Sequence, residues 1–362
     1  MSQISRVGGE KILCPHMVHP FLSVLCSIIL CGIGGAIAGC SRVPEVLAFS
    51  PDGKLLAAAG NSNVTIWRTE SGKAVFRDSL QGRYHRDPLA FTPNGSILAV
   101  GSRGIQMIML NGKATINSLS GWEEVDDLRF CRGGRYLVSV SPGSGITRVW
   151  DMNTKIAILS NEATGWRTGM NPLVAWGSFS GAGNPKGATC SPDGKILAVV
   201  QSDAIRLYDF SSLLSAARGG VQGITPLIFE IKPQDVPGVT DFFLSLNDIS
   251  FGPDSGSLFL CLGNSLVTYD LSSKSVRFSR ELSCQSLSVS ETDPGIIAVN
   301  GFDGKTAIWN LRTRQAPPVR LRAEIMAVAV SPDGRLLAGS TSDDYVNVWN
   351  LKSGRLSLRL KM

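Results

Sequence analysis

Histidine and charge are both scarce in this 362-residue chain. It contains three histidines, of which only His85 follows residue 39, and charged residues make up 18% of the sequence. The sequence therefore gives little basis for histidine-based metal binding or general base catalysis. The formal charge is only +6, and Lys and Arg are scattered rather than gathered in blocks, so nothing indicates nucleic-acid binding.

Motifs of the common enzyme classes are missing as well. The chain contains no GxSxG, no P-loop, no HExxH and no CxxC. We therefore expect no catalytic residues, no metal site and no cofactor. Turn-forming residues, in contrast, are abundant, with 39 Gly and 18 Pro beside 43% hydrophobic residues, a composition that suits many short strands around a large core.

The first 40 residues differ from the rest. Arg6 and Lys11 form a weakly positive start, no charged residue occurs from Phe21 to Gly39, and small residues precede Cys40. This segment resembles a bacterial lipoprotein signal peptide, which implies cleavage before Cys40 and lipidation of that residue. We expect residues 1–39 to be a signal peptide and 40–45 a short lipid-anchored tether.

An uncleaved membrane helix is the alternative for this segment. Nineteen residues at a rise of 1.5 Å reach about 28 Å, close to the ~30 Å hydrocarbon core of a bilayer. Ordinary signal-peptide cores are shorter, about 7–15 residues, but either interpretation places the rest of the chain outside the cytoplasm. We expect an exported protein on the periplasmic or cell-surface side of a bacterial membrane.

Four cysteines follow Cys40, and each lies in a strand-like apolar segment; they are Cys131, Cys190, Cys261 and Cys284. Their even number in an oxidising compartment would allow disulfides. Cysteine in such segments commonly behaves as a small buried hydrophobe. We therefore predict no disulfide.

From residue 46 onward the chain repeats one unit seven times. The first unit begins VLAFSPDGKLLAAAG and the last begins AVAVSPDGRLLAGST. The units begin at Val46, Leu89, Leu128, Ala188, Ile249, Leu287 and Ala327. In the first unit, alternation and turn residues predict strands at about 46–50, 55–59, 64–67 and 74–80. Because one four-stranded sheet cannot bury both its faces, sheets of this kind stack radially.

An aromatic residue ends the third predicted strand in six of the seven units. These residues are Trp67, Trp150, Tyr208, Tyr269, Trp309 and Trp349. The pattern resembles the WD-repeat family, although TolB-like propellers share the SPDGK turn. The resemblance implies an all-β, seven-bladed β-propeller of four-stranded antiparallel blades over residues 46–362. The family's Gly-His dipeptide is missing, so we expect packing to hold the blades together.

Two insertions flank the fourth unit, at about 160–187 and 211–247. Within the second insertion, residues 211–217 resemble a short helical turn. Both insertions include connections between blades, which in this family open on a common face. Aromatic residues on loops of a rigid scaffold often form partner-binding patches. We therefore propose partner binding by Trp166, Arg167, Trp176, Phe179, Phe242 and Phe243, while an inward-folded lid over blade four is the alternative.

The sequence thus predicts a non-catalytic protein-interaction scaffold, monomeric, bound to a membrane through lipid at Cys40 and to a protein partner that the sequence does not identify. An extracytoplasmic hydrolase or lactonase using channel carboxylates is the first alternative. Glu123, Glu124, Asp126 and Asp127 precede a predicted strand and could supply them, although a solvated loop explains them more simply. A cytosolic scaffold whose N-terminal segment is not a signal is the second.

Overall fold

The computed structural model describes most of the chain after residue 43. The described residues are 44–60, 63–79, 88–110, 115–162, 165–168, 187–201, 203–217, 227–240, 242–290, 295–310, 321 and 324–362. The chain divides into two units, Met1–Gly39 and Cys40–Met362, and every described residue belongs to the second. Within these ranges no helix is long and apolar enough to cross a membrane. The proposed signal segment lies outside them.

Seven antiparallel sheets follow one another along the chain, and we name them blades one to seven. Blade one contains β1 (Val46–Phe49), β2 (Leu55–Gly60), β3 (Asn63–Arg68) and β4 (Ala74–Ser79). Blade two contains β5 (Leu89–Phe91), β6 (Ile97–Met109) and β7 (Thr115–Glu124). Blade three contains β8 (Asp127–Cys131), β9 (Tyr136–Ser141), β10 (Ile146–Asp151), β11 (Ile156–Glu162) and β12 (Gly165–Thr168).

The remaining blades follow the same order. Blade four contains β13 (Gly187–Cys190), β14 (Ile196–Val200), β15 (Ile205–Asp209) and β16 (Leu227–Ile231). Blade five contains β17 (Leu246–Phe251), β18 (Ser257–Leu262), β19 (Ser265–Asp270) and β20 (Ser275–Glu281). Blade six contains β21 (Ser286–Val289), β22 (Ile296–Asn300) and β23 (Thr306–Asn310), and blade seven contains β24 (Ile325–Val330), β25 (Leu336–Thr341), β26 (Tyr345–Asn350) and β27 (Leu356–Lys361). The helices among the described residues are α1 (Phe210–Ala217), α2 (Phe242–Ser245) and a 3₁₀ turn at Pro233–Asp235.

Blades two, three and six vary the four-stranded plan. In blade two, β6 doubles back on itself near Gly104, and the Leu110 amide donates to the Ser96 carbonyl at 2.8 Å, so one long run supplies two strand positions. Blade three carries β12 as a fifth strand at its outer edge. The fourth strand position of blade six falls at residues 311–320, outside the described ranges.

The innermost strands form a closed cycle. Each first strand contacts the first strand of the next blade, in the order β1, β5, β8, β13, β17, β21, β24 and back to β1. Seven apolar clusters fill the seven interfaces between blades. The cluster between blades seven and one includes Leu47, Trp67 and Leu360. The predicted seven-bladed β-propeller is confirmed, and the first unit's strands lie within one residue of their predicted bounds.

Alternation of strand direction gives the ring two distinct faces. Turns between first and second strands and between third and fourth strands open on one side, the turn face. Turns between second and third strands and the links between blades open on the other side, the connection face. The inner strands therefore begin at the connection face and end at the turn face.

Five of the six third-strand aromatics are buried in the interfaces between blades: Trp67, Trp150, Tyr208, Tyr269 and Trp349. Trp309 is only partly buried, and the guanidinium carbon of Arg280 lies 4.8 Å from the centre of its ring. Trp150 also donates from Nε1 to Ser139 Oγ at 2.9 Å. Packing of these rings thus replaces a histidine network, as the sequence predicts.

The prediction of no disulfide is wrong, because the described residues form two. Cys131 at the end of β8 is bonded to Cys190 at the end of β13, which joins blades three and four at the turn face. Cys261 in β18 is bonded to Cys284 in the link between blades five and six. Inner strands of successive blades lie side by side, so cysteines 59 residues apart in sequence can meet.

Candidate functional site

A cleft of about 360 Å³ opens on the turn face between blades three and four. Its lining residues are Arg132, Arg135, Tyr136, Ser211, Leu214 and Ser215. The first three come from the turn between β8 and β9 and the start of β9, and the last three come from α1, which connects β15 to β16. The cleft therefore exists only where two blades meet.

The wall contributed by blade three is an unusual turn. Where blades one, four and seven carry a Pro-Asp-Gly turn, this blade has Arg132, Gly133 and Gly134, all with positive φ, at 49°, 64° and 82°. Positive φ is uncommon for arginine because its Cβ crowds the backbone. The Arg132 Nη1 donates to Ser211 Oγ at 3.1 Å, so this side chain spans the junction.

The opposite wall is the helix of blade four. The Asp209 carboxylate accepts a hydrogen bond from the Ser212 amide at 2.7 Å and caps the first turn. This hydrogen bond is the main reason that the pKa of Asp209 is lowered, and Arg132 contributes further to that shift. The adjacent side chains of Leu213 and Leu214 lie on the buried face of the helix, whereas Ser211 is exposed towards the cleft.

An apolar contact holds the helix against blade three. Phe210 is fully buried, and its ring meets that of Tyr136 edge to face, with centroids 5.7 Å apart. Both rings belong to the core cluster between blades three and four. The helical turn expected at 211–217 is therefore confirmed, and it forms part of an interface between blades.

A disulfide and a close contact, both with blade four, hold Arg132 in position. Its neighbour Cys131 is covalently bonded to Cys190 of blade four. Gly194 of blade four, with φ of 69°, lies so close that a Cβ there would sit 2.8 Å from Arg132 Cγ. Only glycine at this position lets the two turns approach each other.

The lining of the cleft combines two arginines with the buried apolar side chains of Tyr136 and Leu214. Arg135 forms an ion pair with Asp151 through Nη2 at 2.8 Å, and its guanidinium lies 5.7 Å from the centre of the Tyr136 ring. None of the six lining residues is acidic. Guanidinium groups bind carboxylates strongly, so the cleft suits an acidic group next to an apolar side chain.

The residues proposed from sequence for partner binding are distributed differently from the expectation. Trp166 and Arg167 lie in β12, where they pair with Asn161 and Ser160, so this part of the insertion is a strand rather than a loop. Because β12 returns toward the turn face, it contacts α1, which forms one wall of the cleft. Trp176 and Phe179 lie outside the described residues.

Phe242 is not an exposed contact residue, and its proposed role in partner binding is corrected. It begins α2 and has no exposed surface, because it packs into the core between blades four and five. Phe243 follows it in the same short helix. For Phe242 the inward-folded alternative is therefore the one that the structure shows.

Of the four carboxylates proposed for an enzyme, only Asp127 lies on an inner strand, whereas Glu123 and Glu124 lie in β7 and Asp126 lies between β7 and β8. Asp127 is engaged, together with Asp248 of blade five, which the sequence analysis did not propose. Arg129 on β8 forms an ion pair with Asp127 at 3.0 Å and reaches Asp248 of blade five at 3.9 Å. Asp127 Oδ2 accepts from the Ala188 amide at 3.1 Å, and Asp248 Oδ2 accepts from the Leu287 amide at 3.0 Å. These carboxylates hold neighbouring blades together.

Burial raises the pKa of Asp248, whereas Asp127 is the main cause that raises the pKa of Arg129. In the described part of the chain, no group of three His, Cys, Asp or Glu side chains could hold a metal ion.

The fold is a seven-bladed propeller, and the described cleft lies on its surface between blades three and four. The family model for the WD domain, G-beta repeat, matches residues 41–68 and 318–350, which correspond to blades one and seven. Together with the seven-sheet ring, these matches support a WD-repeat β-propeller. No curated protein sequence matches the chain.

Proposed function

We propose that this WD-repeat propeller is a non-catalytic protein-interaction scaffold, lipid-anchored through Cys40 outside the cytoplasm, which binds a protein partner beside blade four. Propellers of this class commonly serve as interaction scaffolds. The observation that carries the proposal is the cleft between blades three and four, which combines two arginines with the buried apolar side chains of Tyr136 and Leu214. Its partner would present an acidic side chain beside an apolar one.

The two disulfides support the proposed location. Disulfides persist in oxidising compartments and are rare in the cytoplasm. Both link segments that stabilise adjacent blades, and all four cysteines after Cys40 take part. Export through the proposed signal peptide at residues 1–39 would bring the chain into such a compartment.

Strand β12 adds a second element to the proposed surface. As the outermost strand of blade three it carries Trp166 and Arg167 next to the helix of the cleft. A partner that engages the cleft would lie close to this strand. The proposed binding surface therefore lies at the junction of blades three and four, on the turn face.

Fluorescence anisotropy with labelled peptides tests the chemistry of the cleft. The probe peptides carry Asp or Glu beside Leu or Phe, and matched peptides carry Asn or Gln instead. We expect the acidic peptides to bind more tightly, with an affinity that falls as salt rises. Arg132→Glu should weaken binding at least about tenfold. Arg335→Glu, in the same turn of blade seven, is the matched control and should leave it unchanged.

Two results would contradict the proposal. Equal binding of acidic and amide peptides would show that the arginines do not select a carboxylate. Equal loss in the Arg335→Glu control would show that the effect is a general one of net charge. For the anchor, labelled fatty acid should be incorporated into the wild-type chain and lost in Cys40→Ser.

A further inference from the structure

The chain enters the propeller at a well-defined point on the connection face. The Pro44 carbonyl accepts a hydrogen bond from Ser340 Oγ of blade seven at 2.7 Å, and the same hydroxyl oxygen accepts from the Ala327 amide at 3.0 Å. Ser340 is fully buried. Residue 44 is therefore held at the junction of blades seven and one.

Exposed apolar side chains are distributed unevenly over the described surface. Nine large ones are exposed there, and seven of them lie on strands at the fourth position of their blades; these seven are Val75, Ile116, Ile156, Leu227, Ile228, Phe278 and Leu356. The other two, Phe302 at 53% exposure and Met326 at 46%, lie on the connection face of blades six and seven. We name these two residues the apolar pair.

Hydrogen bonds link the apolar pair to the entry point. The Met326 carbonyl accepts from Asn300 Nδ2 at 3.0 Å, and Asn300 lies two residues before Phe302. Met326 directly precedes Ala327, whose amide shares Ser340 with Pro44. The apolar pair and Pro44 thus occupy one sector of one face.

The distance from Cys40 to this sector is short. Three residues separate Cys40 from Pro44, and the four residue steps between them span at most about 14 Å when the chain is fully extended. An acylated Cys40 lies at the bilayer surface, so the sector that holds Pro44 must stay close to lipid. Exposed Phe and Met side chains then come within reach of the interfacial region of the bilayer.

Four charged side chains on this face of blades six and seven form two ion pairs, which reduces their opposition to lipid contact. Asp303 pairs with Lys305 at 3.0 Å, and Asp343 pairs with Arg359 at 2.7 Å. Glu324, two residues before Met326, carries a further negative charge. This favours a zwitterionic lipid surface over a strongly anionic one.

We propose that Phe302 and Met326 contact the lipid bilayer and orient the propeller with its connection face toward the membrane. This inference rests on the proposed lipid anchor at Cys40. Two side chains bind a bilayer only weakly, but a tether raises their effective concentration at the surface. The turn face, with its cleft, then points away from the membrane toward a partner in the aqueous phase.

Quenching of tryptophan by brominated lipid tests the orientation. The full acylated chain is placed in phosphatidylcholine vesicles whose acyl chains carry bromine near the headgroup, and quenching is compared with that of the wild-type chain. Phe302→Trp should be quenched more than the wild type. Phe278→Trp, similarly exposed on the outer strand of blade five, is the matched control and should show no increase.

Mass spectrometry of the N-terminal fragment separates the two possible failures. An acylated Cys40 with no added quenching in Phe302→Trp would overturn the orientation and leave the anchor intact. An unacylated Cys40 would overturn the anchor and the orientation with it. Equal quenching of Phe302→Trp and Phe278→Trp would also overturn the inference, because it would show contact without a preferred face.

Discussion

Cys131 and Cys190 form a disulfide that joins the inner strands of blades three and four, with Cα atoms 5.8 Å apart. Arg132, the residue that follows Cys131, lines the cleft and reaches Ser211 of the neighbouring blade. One covalent bond therefore stabilises the ring and also holds one wall of the proposed binding site against the other.

Removing this disulfide should lower both stability and binding. The double variant Cys131→Ser/Cys190→Ser loses a link that closes 59 residues, worth about 4 kcal/mol in the chain-entropy model. Urea unfolding followed by fluorescence measures the loss, and anisotropy measures acidic-peptide binding. The control Cys261→Ser/Cys284→Ser, which opens a 23-residue separation, should lose about 3 kcal/mol and keep peptide binding. Equal loss of binding in both variants would show that peptide binding in the cleft does not depend specifically on the Cys131–Cys190 disulfide.

Gly194→Ala should lower the free energy of unfolding by more than the cost of placing alanine at a positive φ. A non-glycine residue at positive φ costs about 1–2 kcal/mol, and the new Cβ would also press against Arg132 Cγ at 2.8 Å. Gly53→Ala is the control, since Gly53 has the same φ of 69° and nothing within 4 Å of its Cβ position. The loss in free energy of unfolding in Gly194→Ala minus the loss in Gly53→Ala gives the cost of the contact between the new Cβ and Arg132. No difference would mean that Arg132 moves aside freely.

Arg129→Met should make stability depend more steeply on pH. Burial already raises the pKa of Asp248, and Arg129 opposes that shift, so the variant raises this pKa further. A carboxyl whose folded pKa exceeds its unfolded value of about 3.9 stabilises the fold below that value, and this contribution is lost as pH rises through the folded pKa. The variant should therefore be close to the wild type near pH 4 and much less stable at pH 7.

Urea unfolding across that pH range checks the Arg129→Met prediction. Arg277→Met is the matched control, because Arg277 is an exposed partner of Asp270 and the lowered pKa of Asp270 depends mainly on the Ser272 hydroxyl. Its stability should follow the wild-type pH profile. Parallel profiles for Arg129→Met and the wild type would show that Arg129 and Asp248 are not coupled.

Ser340→Ala should weaken the closure of the ring. The buried hydroxyl accepts from the Ala327 amide and donates to the Pro44 carbonyl, and the variant leaves both without this partner. Loss of a buried partner costs about 1–3 kcal/mol. Ser353→Ala, in an exposed turn of the same blade, should cost almost nothing. Faster amide exchange in β1 and β24 would locate the loss at the junction of blades one and seven, and unchanged exchange there would contradict it.

Repeat number, the strand positions of the first unit and the helical turn at 211–217 were all predictable from sequence. Each depends on local alternation, turn residues and spacing, which are properties of short segments. The Arg-Gly-Gly turn at Arg132 and the helical insertion in the next unit were visible too, and together they were the signal for the cleft. Their meeting was not visible, because they lie about eighty residues apart.

What the sequence alone determined was the repeating unit, and with it a ring of seven antiparallel sheets. Tertiary structure decided which side chains from different units meet. Cys131 found Cys190 and Arg129 reached Asp248 only because successive inner strands lie side by side. Phe242 lies in the core because its ring packs against side chains of blades four and five. Contacts between blades depend on packing across the ring, and no local pattern encodes that packing.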